Sequence, residues 1–170
     1  MSRLVYVSGK PGAGKTSLAY PLAAALGYSL VIKDTLKETL YDAGCSAGHG
    51  EPDPGWSQRV AVSAWELLWT LAATAGDMVI EANFHSQCVG ELGKLPGPGR
   101  RLVEVHCACP AEIALARYDA RRRHPAHSST LPRSAMDKYD KPVGIGSLVT
   151  VDTTEPVDVA AVAAEVLASA

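Results

Sequence analysis

Gly9-Lys10-Pro11-Gly12-Ala13-Gly14-Lys15-Thr16 decides the reading of this chain. The stretch fits the pattern G-x-x-x-x-G-K-[ST], in which glycines let the backbone curl so that several N–H groups converge on one phosphate cluster. Its flanks fit as well. Leu4-Val5-Tyr6-Val7 is a short apolar run of the kind that forms a buried strand. Behind the loop, Ser17-Leu18-Ala19 leads into Leu22, Ala23 and Leu26 at helical spacing, and Gly27 is a natural stop. Strand, glycine loop and helix make an anion site, because the helix N-terminus adds its positive end. The expected ligands are a nucleoside triphosphate and Mg²⁺. Lys15 would bridge the β- and γ-phosphates and the Thr16 hydroxyl would sit on the metal, with Gly12, Ala13, Gly14 and Ser17 completing the nucleotide contacts.

Outward from the loop, strands and helices alternate. Ser29-Leu30-Val31-Ile32 reads as a second strand, followed by a helix from Asp34 to Tyr41 with Asp34 as N-cap and Gly44 as stop. Residues 44 to 56, rich in glycine and proline, read as a loop. A long helix then carries Trp65, Leu68, Trp69 and Ala72 on one face, a spacing that predicts core packing rather than base stacking. Met78-Val79-Ile80, Leu102-Val103-Glu104-Val105 and Leu148-Val149-Thr150-Val151 supply three more strands. Pro110 opens a helix that runs through Ile113 to an arginine cluster, and a last helix carries Val159, Val162 and Val166, with Pro156 in its first turn. Strands joined by helices predict an α/β fold: one domain over residues 1–170, a parallel sheet covered on both faces, and ligands at the strands' carboxyl ends.

Asp34 follows the second strand directly, about where the γ-phosphate of a loop-bound nucleotide would point. A carboxylate there can accept the proton of an attacking hydroxyl and orient its oxygen. Glu81 ends the third strand, where an acid can hold Mg²⁺ or its water shell, or contact substrate. Asn83 and Phe84 come next and either meet the acceptor or form the turn; Arg59 is a further candidate acceptor contact. Arg117 and Arg121 stand four apart, so as one helix face they would repel unless an anion such as a triphosphate lay between them. Arg121 is also a candidate catalytic residue, and Arg122 and Arg123 complete the cluster. The Ser/His/Pro-rich segment from His124 to Pro132 predicts a loosely packed, mobile cover, part of a lid spanning about 121–135 that includes His127.

Bulk properties exclude other classes. Sixteen basic residues against eighteen acidic ones imply no uniformly basic nucleic-acid surface. No apolar run approaches the length of a membrane span. Met1-Ser2-Arg3 leads straight into the first strand, so no targeting segment is expected, and free thiols at Cys45, Cys88, Cys107 and Cys109 suit a reducing cytoplasm. Asn83 is the only asparagine and Phe84 follows it, so no Asn-Lys-x-Asp guanine reader is present.

Taken together, the phosphate loop, Val31-Ile32-Lys33-Asp34-x-x-Lys37-Glu38, Glu81, the Arg117–Arg123 cluster and Val151-Asp152-Thr153-Thr154-Glu155-Pro156 resemble the small AAA-like P-loop kinases. That group includes chloramphenicol phosphotransferase, the zeta-toxin kinases and the kinase half of polynucleotide kinases. The resemblance implies a five-stranded parallel sheet in the order 2-3-1-4-5, an arginine-bearing lid and Asp34 as catalytic base. It also implies ATP as phosphate donor, with Thr153 and Thr154 beside its adenine. Two departures stand out: Glu81 replaces the usual aspartate, and residues 44 to 60 match no member closely enough to name a substrate. The expected activity is transfer of the ATP γ-phosphate to a hydroxyl of a small molecule such as an antibiotic, nucleoside or sugar. A 5′-hydroxyl nucleic-acid end is the alternative acceptor. A nucleotide-binding regulator without transfer chemistry, or an ATPase without an acceptor, is the alternative of another class.

Overall fold

Strand β1 (Ser2–Gly9) takes the centre of the sheet because its apolar run is the most completely buried, with Leu4, Val5, Tyr6 and Val7 all fully enclosed. The computed structural model describes residues 2–46, 55–95, 99–127 and 131–169. Around β1 stand β2 (Ser29–Ile32), β3 (Met78–Glu81), β4 (Arg100–Ala108) and β5 (Ser147–Asp152). All pairings are parallel, in the order β2-β3-β1-β4-β5. This is the sheet that the family resemblance implies.

Alternation along the strands sends side chains to two cores. Val5, Val7, Val79, Val103 and Val105 pack against Leu18 and Leu22 of α1 (Lys15–Leu26) and Val162 and Val166 of α6 (Val159–Ala168). Leu4, Tyr6, Met78, Ile80 and Leu102 face the other way, onto Leu68 and Ala72 of α3 (Trp56–Thr74). Trp65 and Trp69 stack with centroids 5.2 Å apart beside this second core, the packing role that their spacing predicts.

Register places the chemistry. Val7 pairs with Glu81, and Glu81 with Ile32, so Glu81 and the Lys33–Asp34 step lie level with the end of β1 where the loop begins.

Several boundaries differ from expectation. Helix α2 runs Lys33–Ser46, so Asp34 lies in its first turn rather than capping it, and Gly44 lies inside it. The reason for a glycine there is contact: an added Cβ at Gly44 would stand 2.0 Å from the Trp56 ring, so α2 and α3 cross closely at that point. Helix α5 (Ala111–Ala120) ends before the arginine triplet, and Arg121 is already extended at φ −84°, ψ 134°. Arg117 and Arg121 therefore do not share a helix face. Pro156 precedes α6, whose N-cap is Asp158, accepting from the Ala161 N–H at 3.0 Å. A short helix, α4 (Val89–Leu92), was not anticipated. Of the expected 44–56 loop, residues 47–54 lie outside the described residues, as do 128–130 of the expected lid and the Cys45 side chain.

Candidate functional site

The phosphate loop is built by close approach. Gly12 and Gly14 have φ of +82° and +87°, left-handed backbone that side chains disfavour. A Cβ at Gly12 would stand 2.0 Å from the Ala114 carbonyl oxygen, so α5 closes directly onto the loop. The Lys10 carbonyl accepts from the Ala13 N–H at 3.0 Å and from the Lys15 ammonium at 2.8 Å. Lys15 is thus held back along the loop, with its amine beside the phosphate position. Ala13 contributes its methyl to the core rather than to a cavity wall.

Glu81 and Thr16 meet next to Lys15. The Thr16 hydroxyl donates to Glu81 Oε2 at 2.8 Å. Burial pushes the Glu81 carboxyl above its ordinary value, although Lys15 and the Thr16 bond pull the other way. Burial likewise lowers Lys15, and the Glu81 charge opposes that shift. Two hard oxygen donors side by side, one a nearly enclosed carboxylate, fit Mg²⁺.

Asp34 lies across the mouth of the loop. Burial raises its carboxyl, but the Lys33 ammonium 2.5 Å away, with smaller effects from His127 and Lys15, outweighs this and holds it below the usual carboxylate value. Lys33 stands in the Lys33-Asp34-x-x-Lys37-Glu38 motif, but its pairing with Asp34 and its position over the Trp65 ring are visible only in three dimensions.

Three cavities converge here. One of about 650 Å³ is lined by Gly12, Gly14, Ser17, Arg117, Arg121 and the turn through Thr153 and Thr154. Another, of about 350 Å³, is lined by Lys33, Asp34, Asn83, Tyr118, the arginine triplet and Tyr139, among others. A narrow cavity of about 50 Å³ joins them, bordered by Lys15, Thr16, Asp34, Glu81, Asn83 and Arg121. Among the described residues, only Arg121 borders all three.

Other expected site residues fall elsewhere. Phe84 lies in the second core against Tyr6, Trp65 and Trp69, because its ring is worth more buried than at a polar rim. Arg59 is exposed on α3, over the Trp56 ring, and lines none of these three cavities. Arg117 borders the large cavity, yet its guanidinium donates to the Thr153 and Thr154 carbonyls at 2.8 and 3.0 Å. These bonds fix the turn. The turn is held further by Asp152, whose side chain accepts from the Thr154 N–H and hydroxyl.

The described lid residues from His124 to His127 are packed, where a loose cover was expected. Ala126 is fully buried, and its carbonyl accepts from Ser57 Oγ at 2.6 Å. His127 pairs with Glu38 at 2.8 Å and His124 with Asp42 at 3.1 Å. Lys37 in turn donates to Ser57 at 3.0 Å, so Lys37 and Glu38 of the quoted motif hold α3 and the lid.

Comparison with known proteins agrees with this geometry. The AAA_33 family, described as an AAA domain, matches residues 4–143. No curated protein matches the sequence. Among solved structures, a candidate kinase from Chloroflexus aurantiacus J-10-fl is 27% identical, with a TM-score of 0.80 over 99% of this chain and 98% of that one. A sugar kinase from Janibacter sp. HTCC2649 is 20% identical, TM-score 0.67, covering 100% and 96%. A gluconokinase from Sinorhizobium meliloti 1021 is 21% identical, TM-score 0.57, covering 99% and 90%. No helix among the described residues is long and apolar enough to cross a membrane. With the phosphate loop, the 2-3-1-4-5 sheet and the family match in agreement, the chain belongs to the AAA_33 family and has the fold of the small P-loop kinases.

Proposed function

We propose that this protein transfers the γ-phosphate of ATP to a hydroxyl of a small molecule. The observation that carries the reading is the narrow cavity in which Lys15, Thr16, Glu81, Asp34 and Arg121 meet, open to a larger space on either side. The 650 Å³ cavity has the size and turn chemistry for the nucleoside and sugar of ATP, and the 350 Å³ cavity suits a compact acceptor.

The roles follow from position. Asp34, ionised at neutral pH, accepts the acceptor's hydroxyl proton as its oxygen bonds to the γ-phosphorus. The bond from that phosphorus to the β-bridging oxygen breaks, and ADP leaves. Lys15 and Arg121 offset the negative charge on the phosphoryl oxygens, where fixed donors act most strongly. Thr16 and Glu81 are the residues that would hold Mg²⁺, which would supply further charge neutralisation at the phosphates. Tyr118 and the packed lid limit water at the junction. Buried free thiols at Cys88, Cys107 and Cys109 suit a reducing compartment such as the cytoplasm.

The test is Asp34→Asn. It preserves size but cannot take a proton, so ATP affinity and melting temperature should stay near those of the unaltered protein. Acceptor-dependent ADP formation should fall by ~10²-fold or more. Full transfer by this variant would remove Asp34 as base.

A further inference from the structure

The acceptor cavity carries a charge that the whole chain does not. The protein has a net charge of −2, yet the 350 Å³ cavity is lined by Lys33, Arg121, Arg122 and Arg123 against Asp34 and Glu38. Arg121 and Asp34 also border the phosphate junction, so they belong to the transfer chemistry already described. Setting aside Arg121 with the transfer chemistry, and Lys33 with the Asp34 it pairs, leaves Arg122 and Arg123 against Glu38.

The carboxylates present are already engaged. Glu38 is taken by His127 and Asp34 by Lys33. Arg123 is occupied by its Tyr118 ring contact, 3.4 Å from centroid, and by Asp119 at 3.9 Å. Arg122 is different. It is exposed, lines the cavity, and has no carboxylate partner among the described residues. Like charges gathered on one wall repel, and a guanidinium fork facing a cavity is satisfied best by a planar or tetrahedral oxyanion. Tyr118, Leu131 and Tyr139 add ring and alkyl surface for a small carbon skeleton.

We infer that the acceptor is a compact hydroxylated molecule that itself bears an anionic group, a carboxylate or a phosphate, held by Arg122, which lines this cavity but not the narrow junction that Lys15 borders. This rests on the phosphotransferase reading above. The acceptor's hydroxyl faces Asp34 while its anion faces Arg122.

Hexose derivatives that differ in charge test this. D-gluconate, D-glucose 6-phosphate, D-glucose and D-glucosamine are titrated by calorimetry into the protein loaded with Mg²⁺ and the non-hydrolysable analogue AMP-PNP. A 5′-hydroxyl oligonucleotide is the fifth probe. The expected result is binding of one or both anionic hexoses at least about tenfold tighter than glucose and glucosamine, the effect of one charge-assisted contact. Which anion wins separates carboxylate from phosphate recognition. Arg122→Gln should erase that preference while AMP-PNP affinity is kept. Equal binding of all four hexoses, no binding by any, a preference for the neutral or cationic hexose, or tightest binding of the oligonucleotide would overturn the anionic acceptor. None of these outcomes touches the kinase reading, which fails separately if AMP-PNP does not bind or if no hydroxyl acceptor supports ADP formation.

Discussion

On the proposed reading of Asp34 as base, Lys33 sets the pH at which that carboxylate can work. Burial alone would raise the Asp34 carboxyl, and the ammonium 2.5 Å away reverses the shift. Because the folded-state value is depressed, the ion pair contributes stability above the unfolded carboxylate value, roughly 3.9, and loses it as pH falls through the lower folded value. Catalysis follows the same sign. With Lys33 present, the acid limb of kcat/KM should lie below the ordinary carboxylate range. In Lys33→Met the burial effect is opposed only by the smaller effects of His127 and Lys15, so that limb should move to higher pH while activity at alkaline pH falls less. A pH–rate profile of both proteins checks it, and an unmoved limb would mean that Asp34 is not the titrating base. Cys107 illustrates burial without function: its thiol is pushed up to about 12, leaving a thiolate fraction of ~10⁻⁴ at pH 8. Alkylation of the folded protein followed by mass spectrometry should leave Cys107 unmodified.

Helix α2 does two jobs with one amphipathic surface. Its first turn presents Asp34 to the phosphate junction, and one turn further Glu38, then Asp42, clasp His127 and His124 of the lid. The spacing of four puts the three acids on one side of the helix. Asp34, the proposed base, and the lid histidines are therefore positioned by one rigid element, and residues 124–127 cannot lift without breaking both pairs. Each partly exposed pair contributes ~0.3–1 kcal/mol, so replacing both histidines by alanine should loosen the segment by about 3- to 30-fold. Trypsin cleavage at Arg121–Arg123 should quicken by that factor, and kcat should fall more than ATP affinity. If cleavage is unchanged, the burial of Ala126, not the histidine pairs, holds the lid.

Across the whole molecule, a buried carboxylate joins the sheet to the chain that crosses beneath it. Glu104, 1% exposed on β4, accepts from Ser8 Oγ at 2.6 Å and from the Val143 and Gly144 N–H groups at 2.8 and 2.9 Å. The Tyr6 hydroxyl lies 2.9 Å from it, and burial together with that carboxylate keeps the phenol protonated as a donor. The crossing segment also brings Asp140 to Lys10, whose carbonyl anchors Lys15. Loss of Glu104 would strand several buried donors at once. Glu104→Ala should therefore cost ~3 kcal/mol or more, lowering Tm by about 10 °C, and should also weaken ATP binding through the Lys10 contact. Thermal denaturation and nucleotide titration of the variant measure both effects; a stability change under ~1 kcal/mol would show that water replaces the carboxylate.

What the sequence determined by itself is what local pattern encodes. The phosphate loop is a contiguous motif with its strand and helix attached. The five strands are apolar runs, and Asp34 and Glu81 are marked by standing at strand ends. Helix limits were less legible where tertiary contact overrides propensity: Gly44 continues α2 because Trp56 packs on it, and Arg121 leaves α5 to face three cavities. Phe84 read as a rim residue because it follows Asn83, and only the packed aromatic cluster decided that it is core. The same holds for the Glu104 network, for the two lid pairs and for the concentration of cations in the acceptor cavity. Each joins residues tens of positions apart, and charge or hydrogen-bond partnership between such residues has no period along the chain. It exists only once the sheet has set the register.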